Sequence, residues 1–241
     1  MDEPRAEFAA TRWSLVARAA SPNSPGAREA LEELCRAYWW PLYVYLRRRG
    51  QTGDDAADLV QGLFAQLIER GRLAHVDPNC GRFRAWLLSA LKFHLSHERE
   101  RERAVKRGGR QCRVPLDPDE ADRRWLEVSC RDQDAERLFE RVWAISVLER
   151  ALVDVEEQYR RDGRSAVFSA LRSTLVGGSA WEDLRSIAVR LGTSTSDVKT
   201  SAFRLRKAFG RAIRAELAST LTDDSQVEDE LRALFAALAA S

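Results

Sequence analysis

Apolar residues recur every three or four positions along this chain, and no stretch keeps the strict alternation of a half-buried strand. The first helical pattern runs from Phe8 to Ala20 through Trp13, Leu15 and Val16, and ends at SPNSPG, a loop by composition. A second runs from Ala27 to Trp40 through Ala30, Leu31, Leu34 and Tyr38. Pro41 then either kinks that helix or opens a new one, because proline lacks the N–H that a helix interior requires. Leu42, Tyr45 and Leu46 continue the apolar face. Asp54 or Asp55 is placed to cap the next helix, which reaches Arg70 with Leu59, Leu63, Phe64 and Leu67 inward. A long helix follows from Phe83, carrying Trp86, Leu87, Ala90, Leu91 and Leu95, and Gly108-Gly109 end it. Periodicity resumes at Leu138, Val142, Ile145, Leu148, Leu152 and Val155, then over Val167–Leu175, and closes with Leu231, Leu234, Phe235 and Leu238.

These patterns predict an all-α protein with two helical domains joined by a linker. Residues 110–134 combine prolines, acids and weak periodicity, which suits a linker, with Trp125 and Leu126 as anchoring points. One domain is then expected over residues 1–109, a second over 135–222, and an acidic helical tail over 223–241.

Residues 179–214 read as two helices about one tight turn, the helix-turn-helix arrangement. Ser179 and Glu182 have the spacing of a capping box, and Trp181, Leu184, Ile187, Ala188 and Leu191 form the first apolar stripe. Gly192 stands where a helix end favours a left-handed residue. Ser194 and Asp197 repeat the capping spacing, and Val198, Ala202, Leu205, Phe209 and Ile213 form the second stripe. The opposite face carries Ser196, Lys199, Thr200, Phe203, Arg204 and Lys207, and Lys199 to Arg214 holds six basic residues and no acidic one. Such a face neutralises phosphates and presents donors to a major groove. A packed helical hairpin with a solvated basic face is the competing interpretation. Two caps, a glycine and one-sided charge together favour DNA contact.

Overall charge hides this segregation, because 39 basic residues nearly balance 37 acidic ones. Arg82 to Arg113 holds ten basic and three acidic residues, Val114 to Arg141 nine acidic and five basic, and the last twenty residues five acidic and one basic. The tail is suited to fold against a basic DNA-binding face or to contact a partner. No apolar run approaches the ~20 residues of a membrane span. The N-terminus lacks a signal-peptide pattern, and the four cysteines form no C-x-x-C pair, so a cytoplasmic location is expected.

Chemistry other than DNA contact finds little support. His94 and His97 lie three apart on one helix, but further metal ligands are not evident beyond Cys80, so no metal is expected and both histidines are read as facing solvent or phosphate. Phosphate loops, dinucleotide fingerprints and nucleophile elbows are missing, and Asp54, Asp55 and Asp58 read as caps and surface. No enzyme activity and no cofactor are expected. Phe83, Trp86 and Phe93 interleave with Arg84, Lys92, Arg99, Arg103 and Lys106. Either these aromatics are simply core, or the helix offers stacking surfaces and cations to single-stranded DNA.

Three stretches, in order, resemble bacterial RNA polymerase sigma factors of the sigma-70 family, extracytoplasmic-function (ECF-like) group. They are DDAADLVQGLFAQL at 54–67, FRAWLLSALKFHLSHERERERAVKRGG at 83–109 and LRSIAVRLGTSTSDVKTSAFRLRK at 184–207. The resemblance implies that Asp55, Asp58, Gln61 and Gln66 dock on core RNA polymerase. It implies that the 76–82 loop and the helix bearing Phe83, Arg84, Trp86, Lys92, Arg99, Arg103 and Lys106 hold the downstream promoter element as single-stranded DNA. Ser196, Lys199, Thr200, Phe203, Arg204 and Lys207 would face the duplex upstream element. The implied function is promoter recognition and melting for transcription initiation. Its alternative is a helix-turn-helix regulator that binds DNA without polymerase. An anti-sigma partner is compatible with this group, though no residue demands one, and no membrane partner is implied. Gly62 departs from the glutamate often found after the glutamine, Lys92 or Phe93 from a common asparagine, and Ala202 from a usual leucine.

Overall fold

The computed structural model describes residues 14–20, 25–69, 73, 76, 82–104, 121, 123–125, 134–175, 184–221 and 224–239. Among them every regular element is helical. The α-helices are α1 (Ser14–Ala19), α2 (Ala27–Arg48), α3 (Gly53–Glu69), α4 (Phe83–Ala104), α5 (Ala135–Arg161), α6 (Ser165–Leu171), α7 (Leu184–Leu191), α8 (Thr195–Ala218) and α9 (Val227–Ala239). Short 3₁₀ turns occupy Arg172–Leu175 and Asp224–Gln226. The chain divides into two compact units, the first Met1–Ser146 with Leu217–Ser241, the second Val147–Glu216. This division differs from boundaries at 109 and 135. The first half of α5 packs with the preceding helices, and the acidic tail belongs to the first unit.

In the first unit α2 is the central element. Every residue from Ala37 to Leu46 is buried, which a helix tolerates only when it is apolar all round, as AYWWPLYVYL is. The helix continues through Pro41 rather than restarting there. Tyr43 stacks with Trp39 at 4.9 Å and with Trp40 at 5.6 Å between ring centroids. Trp125 lies 5.6 Å from the Arg47 guanidinium, and Arg124 lies 5.1 Å from the Trp40 ring, so cation–π contacts tie this short stretch to α2.

α3 begins one step earlier than its acids suggest. The Thr52 hydroxyl accepts the Asp55 N–H at 3.2 Å and donates to the Asp55 carboxylate at 2.7 Å. Thr52 is therefore the cap, and Asp55 completes the motif from the first turn. Ala56, Ala57, Val60, Leu63, Phe64 and Leu67 are its buried side, whereas Leu59 is only half-buried. Gly62 faces α4 so closely that a β-carbon there would lie 3.0 Å from His94 Nε2. His94 is buried at 5% exposure, correcting its expected solvent-facing position. Gly62→Val is expected to cost the first unit about 1–3 kcal/mol through overpacking. Combining it with His94→Ala should recover part of that loss in a double-mutant cycle of urea unfolding; strict additivity would refute the contact.

The second unit is built from the rest of α5, then α6, α7 and most of α8. Its core joins Val155 and Tyr159 of α5 to Phe168 and Leu171 of α6, Leu184, Ile187 and Ala188 of α7, and Val198, Ala202, Leu205 and Ala208 of α8. Ala188 and Ala202 are small, which permits close approach of helix backbones. Arg150 Nε donates to Glu216 at 2.8 Å, linking α5 to the end of α8.

Candidate nucleic-acid interface

The α7–α8 connection is fixed by backbone chemistry. Gly192 adopts φ 62°, a conformation costly for residues with a β-carbon, and Thr193 N–H returns to the Ala188 carbonyl at 3.0 Å. Ser194 and Asp197 then form the expected reciprocal cap: the Asp197 N–H donates to the Ser194 hydroxyl at 3.1 Å, and the Ser194 N–H to the Asp197 carboxylate at 3.4 Å. The Ser194 hydroxyl donates to that carboxylate at 2.6 Å and the Thr193 hydroxyl at 3.0 Å. These bonds, the Ser194 hydroxyl foremost, hold Asp197 below the usual carboxylate range. A depressed carboxylate stabilises the fold fully above its unfolded pKa, and loses that contribution as pH falls through the folded value. Amide protection at the start of α8 should therefore weaken on acidification, and Asp197→Asn should flatten this dependence in hydrogen exchange. A wild-type profile in the variant would rule out the carboxylate.

Ser196, Lys199, Thr200, Phe203, Arg204 and Lys207 are all exposed, on the side of α8 opposite buried Val198, Ala202 and Leu205. Phe203 is 67% exposed, an unusual position for a large apolar ring, and sits directly beside Arg204. Arg185 and Arg190 of α7 are exposed as well. Among the described residues, no ion pair engages Lys199, Arg204 or Lys207. Arg206, by contrast, donates to the Thr174 carbonyl at 3.3 Å and serves the core side. The Ser179–Glu182 cap and Trp181 lie outside the described residues.

On α3, Asp55 and Asp58 are exposed while Gln61 and Gln66 are half-buried. Asp55, Asp58 and Gln61 follow one another at steps of three, but Asp55 is also occupied by the Thr52 cap.

The α4 residues divide sharply. Phe83 is buried at 4% exposure, set edge-on to Tyr38 at 5.4 Å and stacked on half-buried Trp86 at 5.6 Å. Arg84, expected to face DNA, is 3% exposed. Its Nε donates to Glu140 of α5 at 2.8 Å, its Nη1 to Glu230 of α9, and its guanidinium lies 3.8 Å from the Trp143 ring centroid. Arg82 pairs with the other Glu230 oxygen. Lys92 is exposed yet engaged, 2.8 Å from Glu136, whose hydrogen bond pushes the Lys92 pKa up. Glu136 also accepts from the Tyr45 hydroxyl at 3.4 Å, and burial raises the Tyr45 pKa. Phe93 is 51% exposed, with its ring centroid 4.3 Å from that of exposed His97. Arg99 and Arg103 lie on α4, where only their backbone is described; Lys106 and Cys80 lie outside the described residues. No group of three metal-ligating side chains occurs among the described residues, and no helix there is long and apolar enough to cross a membrane.

Glu136, Glu140, Trp143 and Glu230 were not singled out from sequence. One signal existed for Glu230: it sits three after Val227 and four before Leu234, on the apolar stripe of α9. Comparison of the chain with protein-family models, curated proteins and solved structures gives no match.

Proposed function

We propose that the protein is a sigma-type initiation factor, which binds core RNA polymerase and directs promoter recognition and melting. In this reading the second unit is a helix-turn-helix domain and α8 its recognition helix. The carrying observation is the joint exposure of Ser196, Lys199, Thr200, Phe203, Arg204 and Lys207 on one face, with a glycine turn and a reciprocal cap behind them. Cations along such a helix neutralise phosphates, and arginine offers paired donors to a guanine edge. The exposed Asp58 beside Gln61 on α3 supplies a polar surface for polymerase.

The deciding experiment mixes the purified protein with sigma-free core polymerase and scores specific initiation on a promoter library. Tight, sequence-specific binding without polymerase, and no initiation with it, would replace the reading by that of a DNA-binding regulator. On a promoter found this way, Arg204→Ala should weaken the complex by about 1–3 kcal/mol, as loss of one good base contact does. An unchanged footprint and transcript yield would remove Arg204 from the interface.

A further inference from the structure

Arg84 and Glu230 are 146 positions apart, yet both are almost wholly buried and joined side chain to side chain. Arg82 and Arg84 each hold one oxygen of the Glu230 carboxylate, so the pair grips an oxyanion from two sides. Arginine's fixed fork of donors suits carboxylate and phosphate alike. The Trp143 face under Arg84 orients that fork, and Arg84 Nη2, though buried, has no hydrogen-bond partner among the described residues. A donor of this kind is costly to bury, and an anion with more oxygens than a carboxylate would satisfy it.

Charge points the same way. Arg82 and Arg84 are balanced by Glu140 and Glu230, two cations against two anions. Withdrawing Glu230 leaves a net positive seat. The hold of α9 on this seat is narrow, since Val227, Glu230 and Leu234 are its buried residues and Phe235 is 55% exposed. Elements with few buried apolar contacts are those that open locally at low cost.

We propose that the Arg82–Arg84 seat is a phosphodiester-binding site for single-stranded DNA, and that α9 closes it with Glu230 as an internal mimic of the phosphate. Strand and α9 then compete for the same two guanidinium groups. The inference rests on the initiation reading for the source of the strand, while the seat itself stands on its own geometry.

The test titrates a short, fluorescein-labelled, mixed-sequence single-stranded oligodeoxynucleotide into the full chain at fixed low salt and follows anisotropy. If the open form is roughly one-tenth populated, apparent affinity is reduced by that fraction, so Glu230→Gln should bind about tenfold tighter. Leu234→Ala, which loosens α9 without touching charge, should shift affinity in the same direction. Adding Arg82→Gln to Glu230→Gln should reverse the gain. In the wild type, amide exchange of residues 227–239 should accelerate when the oligonucleotide saturates, while α3 stays protected. Wild-type affinity in Glu230→Gln, with α9 protection unaltered by saturating DNA, overturns the proposal. Should Glu230→Gln lose its helical circular dichroism, the wild-type exchange measurement decides alone. Failure of the initiation reading has a different signature: no promoter-dependent transcript with core polymerase, with the Glu230 effect on strand binding intact.

Discussion

Arg84→Ala is expected to destabilise the first unit by about 3–5 kcal/mol, the cost of breaking a buried ion pair and leaving its partner behind. The residue left behind is Glu230, whose side chain is 4% exposed and would retain Arg82 alone. Glu140 suffers less, because its side chain is 38% exposed and water can replace the lost donor. Replacing both charges together, as in Arg84→Met with Glu230→Leu, should restore most of the loss, since an apolar pair of similar volume needs no desolvation. Denaturant unfolding followed by tryptophan fluorescence suits this comparison. Trp13, Trp39, Trp40, Trp86, Trp125 and Trp143 fall in the first unit's range, and only Trp181 in the second's. A single-variant midpoint equal to wild type at unchanged slope would show that the pair contributes nothing.

Trp39→Ala should be comparably damaging, at about 3–5 kcal/mol for a large aromatic removed from a core. Trp39 is 1% exposed and stacked on Tyr43, which is fully buried. The informative companion is Trp39→Phe. The indole N–H of Trp39 has no hydrogen-bond partner among the described residues, so its desolvation is uncompensated. Phenylalanine removes that donor while keeping a ring against Tyr43. Its cost should be a small fraction of alanine's, measured by chemical denaturation with helical circular dichroism as the probe. Equal losses in the two variants would mean that the indole N–H is satisfied after all.

Helix existence was largely legible, because α3, α4, α7 and α8 each carry a wet face opposite an apolar stripe. So was the Ser194–Asp197 cap, since both partners lie within one turn of each other. The centre of α2 escaped the same reasoning. A periodicity argument assumes one solvated side, and residues from Ala37 to Leu46 have none. At α3, two adjacent aspartates drew attention from Thr52, although Asp55 acts as the responding half of the motif.

Arg84 was misplaced for a different reason. Arginine normally extends to water, so local sequence directs it outward; only a carboxylate 146 positions away makes burial tolerable. The same long-range contacts moved the division of the chain. Composition marks 110–134 as a linker, yet Glu140 and Trp143 bind the first half of α5 to Arg84. For the candidate interface on α8, sequence and structure agree on which residues are exposed together. The α4 surface was legible as basic and aromatic, but the burial of Phe83 and Arg84 within it was not.

The first unit is completed from two separated stretches, with residues 147–216 lying between them. A ribosome therefore releases α4 and α5 well before α9. At ordinary synthesis rates of about 5–20 residues per second, the 146 positions between them keep Arg84 without Glu230 for roughly 7–30 seconds. The second unit, being continuous, is free to fold during that interval. Vectorial synthesis thus makes α9 the closing step of the first unit, and a chain stalled before Val227 would present an unsealed cationic seat to the nucleic acid around the ribosome.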